Sequence, residues 1–316
     1  MAKHKAHDRR VIVVGGPTAS GKSALALDLA EALDGVVVNA DSMQVYSDLS
    51  VLTARPGAAD LVRAPHRLYG VLDGAERCSA ARWRGLAAAA IDAVLAAGRW
   101  PIVVGGTGLY LRALTAGLSA IPVVPAAVRT DAAALHKALG GAAFHRALAE
   151  RDPAMAARLH PGDTQRLVRA WEVLAATGRS LADWQGDGVA GRPGGLAFDA
   201  IVLTPPRAAL YAACDRRFAA MVERGAVDEA RALLARRLDP RLPVMKALGV
   251  RELARYLAGE GDLETAVGAA QQATRRYAKR QLTWFRNQVL AADRCHTIDA
   301  QYSKSLAAEI LSIVRR

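Results

Sequence analysis

Apolar and polar positions fall into two textures along the chain. VIVVGG (11–16) is a continuous apolar run that ends in glycines, and SALALDLAEAL after it (23–33) spaces its apolar residues as a helix does. VVVNADS follows as a second apolar run closing on polar residues. RWPIVVGGTGLYLRAL repeats the plan, with a strand over Ile102 to Val104, a glycine turn and an amphipathic start. Unbroken apolar runs suit strands covered on both faces. Strands alternating with helices at this spacing predict βαβ units and a parallel sheet. Ligands in such sheets sit beyond the carboxyl ends of the strands, where 15–23, 41–44 and 105–110 fall.

After IPVVP the texture changes. From about Ala126 to Trp184 the chain is rich in Ala, Leu, Arg and Glu at helical spacing, with no convincing strand. FDAIVLTPP (198–206) reads as one more sheet strand, stopped by a proline pair. From Tyr211 onward the pattern is helical, punctuated by Pro240 and Pro243. The expected organisation is an α/β core over 1–120, a helical insertion over 121–197, and core completion with basic helices over 198–316.

Half the residues are apolar (52%) and 23% are charged, which predicts a folded globular chain of 316 residues. Charge shifts the picture: 42 Lys and Arg against 30 Asp and Glu leave a net of +12. Such a surplus favours a polyanionic partner, although solvated surface charge in an arginine-rich proteome explains it equally well. Cys78, Cys214 and Cys295 lie far apart with no CxxC pair, so nothing indicates a disulfide framework or a thiolate zinc site, which fits a reducing compartment. The basic N-terminus MAKHKAHDRR precedes an apolar run too short for a signal peptide. The Ala-rich run 85–98 is interrupted by Asp92 and is shorter than a membrane span. A cytoplasmic protein with no membrane partner is expected, and nothing marks an obligate interface, so a monomer is expected too.

Gly16-Pro17-Thr18-Ala19-Ser20-Gly21-Lys22-Ser23 is a full GxxxxGK[ST] loop between a strand and a helix. Its N–H groups and the helix N-terminus form an anion nest, Lys22 adds a point charge, and Ser23 can ligate Mg²⁺. The core is therefore expected to be P-loop NTPase-like. The motif marks a phosphate site, not whose phosphate it is; most such loops bind a nucleoside triphosphate. Asp41, after the second strand, stands where a base could take a proton from a nucleophile, or it is a helix N-cap. Gly105-Gly106-Thr107-Gly108-Leu109-Tyr110 is a second glycine turn near which an acceptor could lie, or merely a tight turn. Arg166 and Arg169 share a helix face that reads by default as solvated. Residues 273–286 carry five positive charges and no acid, with Arg276 and Arg280 in one row and Arg275 and Lys279 in the next. That is a phosphate-backbone rail, in which Trp284 and Phe285 are expected to be buried rather than stacked on bases.

GPTASGKS, DSMQVY, GGTGLYLRAL, QRLVRAWEV, LPVMKALGVREL and YAKRQLTWFRN, in this order, resemble the tRNA dimethylallyltransferases (tRNA isopentenyltransferases) over nearly the whole chain. The resemblance implies transfer of a dimethylallyl group from dimethylallyl diphosphate to the exocyclic amine of the adenosine 3′-adjacent to the anticodon, in tRNAs reading codons that begin with U. It implies a diphosphate in the glycine loop with Mg²⁺ on Ser23, Asp41 as general base, and Arg217 as a further diphosphate contact. Thr107 is implied beside the target nucleotide. Contacts to the tRNA anticodon arm are implied for Asp41, Ser42, Met43, Gln44, Thr107, Arg129, Gln165, Arg166, Leu167, Val168, Arg169, Arg276, Lys279, Arg280 and Arg286. The chain departs from the family pattern at Leu52, where many members have glycine, and at Arg55, where they have lysine. It ends without the zinc finger of some eukaryotic members, as expected for a bacterial type. The rival is an ATP-dependent small-molecule or nucleotide kinase, which explains the loop and Asp41 but not the rail. A GTP switch would need an Asn-Lys-x-Asp motif, and the chain has none.

Overall fold

The computed structural model describes residues 9–188, 194–288 and 290–315; most of the basic N-terminal stretch lies outside them. The first strand, β1 (Arg10–Gly15), leads through the glycine loop into α1 (Lys22–Leu33), and β2 (Gly35–Asn39) follows. Next come α2 (Ala58–Arg63), the two-residue β3 (His66–Arg67), α3 (Ala80–Ala96), β4 (Trp100–Gly105) and α4 (Gly108–Thr115). The helical stretch holds α5 (Ala126–Arg151), α6 (Pro153–Ala156), α7 (Thr164–Thr177) and α8 (Leu181–Gly186). β5 (Ala197–Leu203), α9 (Arg207–Glu223), α10 (Ala226–Ala235), α11 (Val250–Leu257), α12 (Leu263–Asn287), β6 (Arg294–Ile298) and α13 (Lys304–Arg315) complete the chain.

All six strands are parallel, in the order β3-β2-β4-β1-β5-β6. Alternate residues of the central strands go to opposite faces. Val11, Val13, Val38 and Val103 pack with α3, α4 and the later helices, while Ile12, Val14, Ile102 and Val104 pack under α1 and α13. Both faces are dry, which is why these strands read as unbroken apolar runs. With a strand, phosphate loop and helix at its head, this is a P-loop NTPase-like core. The register decides where the site can be. β1 and β4 end level, with Gly15 beside Gly105, so both glycine loops leave the sheet side by side.

The reading of an all-helical chain beyond Tyr211 is corrected by β6, which pairs with β5 from Asp199↔Arg294 to Leu203↔Ile298. RCHTI is an edge strand whose residues are only partly covered, so it lacks the apolar run by which the central strands are recognised. The two-residue β3 escaped notice for want of length.

The chain divides into two compact units, Met1–Ala116 with Pro193–Arg316, and Gly117–Arg192. The second has its own core, built on Phe144, Leu148, Leu167 and Val173, and Gly140 (φ 73°) kinks its long helix.

Candidate phosphate and acceptor site

The glycine loop has the backbone of an anion cradle. Ala19 (φ 63°) and Gly21 (φ 90°) adopt left-handed conformations that turn neighbouring N–H groups to one side, at the start of α1. Gly16 has no room for a side chain, since a Cβ there would lie 2.9 Å from the Leu203 carbonyl oxygen. Two cations point into the cradle. Lys22 reaches the Pro17 carbonyl at 3.3 Å, and the guanidinium of Arg217, on α9, donates to the Thr18 hydroxyl. Burial pushes the Lys22 ammonium down to about 8, against the pull of the Asp41 carboxylate. Burial likewise lowers Arg217, with Asp41 among the charges that oppose it. Neither cation is in a salt bridge among the described residues. Two desolvated cations left unpaired in one cradle are an arrangement that an anion completes.

Asp41 is held by a buried framework that sequence reasoning missed. Asn39 Oδ1 accepts the Asp41 N–H at 2.8 Å, and Asn39 Nδ2 donates to the Asp41 and Leu68 carbonyls at 3.0 and 3.1 Å. The indole N–H of Trp83, itself stacked on Tyr110, donates to the Asn39 carbonyl at 2.9 Å. Asp41 is not the cap of a helix: its Oδ1 accepts the Met43 N–H at 2.9 Å inside a turn. Its other oxygen takes no hydrogen bond from the described residues, which leaves it available as a proton acceptor. A run of polar residues after an apolar strand was the only sequence signal for Asn39.

Ser42 N–H donates to Thr107 Oγ1 at 3.0 Å, which ties the Asp41 turn to the second glycine loop. Tyr277, on α12, lies near Thr107, and burial raises its phenol well above the ordinary value. Gln44 donates to the Thr53 and Ala54 carbonyls. The two departures are absorbed locally. Leu52 is buried in the core near Phe218 and Gly249, and Arg55 donates to the Tyr46 and Ser47 carbonyls. Beside Ser23, which is exposed at the head of α1, lies a cavity of about 170 Å³ walled by Leu27, Val37, Tyr69 and Val104 together with the polar Gln44, Asp60, Arg63 and His66.

α12 has two faces. Its outer face exposes Arg276, Lys279, Arg280 and Arg286, none of them in a salt bridge among the described residues. Arg275 does not belong to that rail, because Asp215 of α9 holds it at 2.6 Å, an acid that the local charge count could not see. The inner face backs both glycine loops. Gln281, missed in the sequence as one polar residue among many, is buried and reaches Thr18 N–H and the Gly106 carbonyl. Phe285 is buried against Gly15, as expected, whereas Trp284 is only half-buried, over Gly108.

In the helical unit, Gln165 and Arg166 are exposed, and Arg166 faces Asp163 at 3.5 Å while Arg169 faces Glu172 at 3.2 Å. Arg129 is exposed on α5. The side chain of Leu167 is committed to the core of the unit and Val168 packs against it, so the outward-facing groups of this stretch are Gln165 and the two arginines. No group of three His, Cys, Asp or Glu suited to a metal occurs among the described residues, and none of their helices is long and apolar enough to cross a membrane.

A family model described as IPP transferase matches residues 44–288, and one described as isopentenyl transferase matches 9–75. A tRNA dimethylallyltransferase of Rhodospirillum centenum is 63% identical over 286 residues, covering 90% of this chain and 91% of its own. One of Paramagnetospirillum magneticum is 55% identical over 305 residues, 96% of each chain. Among solved structures, the full-length tRNA isopentenylpyrophosphate transferase of Bacillus halodurans superposes with a TM-score of 0.67 at 33% identity, covering 97% of this chain and 96% of that one. A eukaryotic dimethylallyltransferase acting on tRNA gives a TM-score of 0.78 at 26% identity, covering 97% of this chain and 79% of that one.

Proposed function

This chain belongs to the IPP transferase family, and we propose that it transfers a dimethylallyl group from dimethylallyl diphosphate to tRNA, onto the exocyclic amine of the adenosine 3′-adjacent to the anticodon. The tRNAs are those reading codons that begin with U, and the enzyme works in the cytoplasm as a monomer. The observation that carries this reading is the pairing of an unneutralised phosphate cradle, Lys22 with Arg217, with the Asp41 carboxylate and an exposed basic helix face, the cradle and Asp41 lying beyond the carboxyl ends of the central strands. A kinase reading accounts for the cradle and Asp41 but not for the exposed basic helix face, and the relatives are transferases acting on tRNA by name.

In the reaction, the adenine amine attacks the first carbon of the dimethylallyl group, and the bond from that carbon to the diphosphate oxygen breaks. The electron pair leaves with the diphosphate, which the loop N–H groups, Lys22 and Arg217 hold. The amine proton passes to Asp41. An adenine amine is a poor nucleophile, so the rate comes from leaving-group stabilisation and positioning. The exposed Ser23 hydroxyl, in no described hydrogen bond, would hold Mg²⁺, which would supply further positive charge to the departing diphosphate. The apolar part of the cavity beside Ser23, formed by Leu27, Val37, Tyr69 and Val104, offers the five-carbon chain a place to pack. The adenine must leave its stack to arrive, at a cost of a few kcal/mol, about what several phosphate contacts offset. Those contacts come from Arg276, Lys279, Arg280 and Arg286 on α12 and from Arg129, Gln165, Arg166 and Arg169 on the helical unit, while Ser42, Met43 and Thr107 line the adenine's place. Incubation with ATP in place of dimethylallyl diphosphate separates the readings: phosphate transfer to a small acceptor, with no alkylation of tRNA, would establish the kinase.

A further inference from the structure

Gln281 is the residue of α12 least suited to its position. It is 6% exposed, in a row with Ala278 and Leu282, which belong to an apolar cluster. A buried amide survives there only if both its ends are bonded. Both are: Oε1 accepts the Thr18 N–H at 2.8 Å, and Nε2 donates to the Gly106 carbonyl at 2.7 Å. One side chain thus joins the third residue of the phosphate loop to the second glycine of the acceptor loop. The neighbourhood is built around it. A Cβ on Gly106 would lie 2.3 Å from Gln281 Nε2, and a Cβ on Gly15 would lie 2.9 Å from Phe285, one turn along the helix. Thr18 is gripped a second time through its hydroxyl by Arg217. The Thr18 N–H is accordingly not one of the cradle's free donors, and its direction is fixed from behind.

We propose that Gln281 is a positioning residue for group transfer: its amide fixes the separation of the diphosphate loop from the acceptor loop, and so of the leaving group from the attacking amine. The proposal rests on the dimethylallyl-transfer reading. Its chemical requirement is a side chain of this length that accepts at one end and donates at the other. A methionine does neither. A glutamic acid does both only while protonated; as a carboxylate it keeps the Thr18 bond and turns a second acceptor towards the Gly106 carbonyl. Burial favours the protonated form, so that form persists above the ordinary carboxyl range.

The test is single-turnover transfer of labelled dimethylallyl groups to saturating tRNA, by wild type, Gln281→Met and Gln281→Glu, from mildly acidic to mildly alkaline pH. Binding of tRNA is measured alongside. Gln281→Met should transfer about 10²-fold more slowly, the size of effect expected of an ångström-scale misplacement, with unchanged tRNA affinity. The rate of Gln281→Glu relative to wild type should rise as pH falls, because protonation restores the missing donor; the ratio removes pH effects common to both enzymes. A ratio flat with pH, or a wild-type rate in Gln281→Met, overturns the proposal, as does a loss of tRNA affinity that accounts for the slower transfer. If Gln281→Met does not fold, the pH series of Gln281→Glu decides by itself. No label in tRNA with the wild type would instead sink the transfer reading.

Discussion

At Asp41 the question is whether a carboxylate that shapes a turn also moves a proton. The turn needs only an acceptor for the Met43 N–H, and an asparagine oxygen provides one. Asp41→Asn should therefore fold and bind tRNA normally yet turn over roughly 10²–10⁴-fold more slowly, the range for a lost general base. Undiminished turnover would leave Asp41 as a turn former. Lys22 gives a pH signature. Its burial-lowered value of about 8 means that the free enzyme carries this charge below about 8 and loses it as pH rises through that value. kcat/KM for dimethylallyl diphosphate should fall on that alkaline limb, and the limb should vanish in Lys22→Ala, whose kcat/KM is low throughout. An alkaline limb that persists in Lys22→Ala would belong to another group. The placing of the loop and of Asp41 beyond the strand ends was legible in the sequence because local chain geometry fixes both positions, while the role of Asp41 came only from the family resemblance. Asn39 and Gln281 were not legible, because their partners lie in other parts of the chain; Gln281 bonds across 263 and 175 residues.

At the scale of the element, α12 joins recognition to chemistry. The exposed row of Arg276, Lys279 and Arg280 should make tRNA binding strongly salt-dependent. Neutralising all three should lower the slope of log affinity against log salt by about 2, given ~0.7–0.9 per phosphate contact. An unchanged slope would place the rail elsewhere. Arg275→Gln should leave that slope nearly intact, because Asp215 already neutralises this arginine. The helix itself was legible from periodicity, and its basic face from composition. Which of the five cations were free was not, since that depends on α9, packed alongside. Edge strands failed for a related reason: β6 is recognised by its pairing with β5 rather than by its own apolar content.

Over the whole molecule, the sheet does what no motif does alone. Parallel pairing with β1 and β4 in register sets Gly15 next to Gly105, and the Asp41 turn is tied to Thr107 beside them. Continuous apolar runs made this α/β core predictable, and the helical unit was visible as a stretch without them. The net charge of +12 is ambiguous by itself; among the described residues the exposed cations of α12 are in no salt bridge, so part of that surplus stands unneutralised on one helix face. The central claim is that the cradle holds the leaving diphosphate of an alkyl donor whose acceptor is tRNA. The most direct measurement incubates the protein with Mg²⁺, dimethylallyl diphosphate labelled in the alkyl group, and unmodified tRNA bearing adenosine 3′ to the anticodon. Label should enter the tRNA at that adenosine with wild type and be nearly absent with Asp41→Asn. No label with wild type, under conditions where ATP is consumed, would contradict the account and return the glycine loop to a nucleotide.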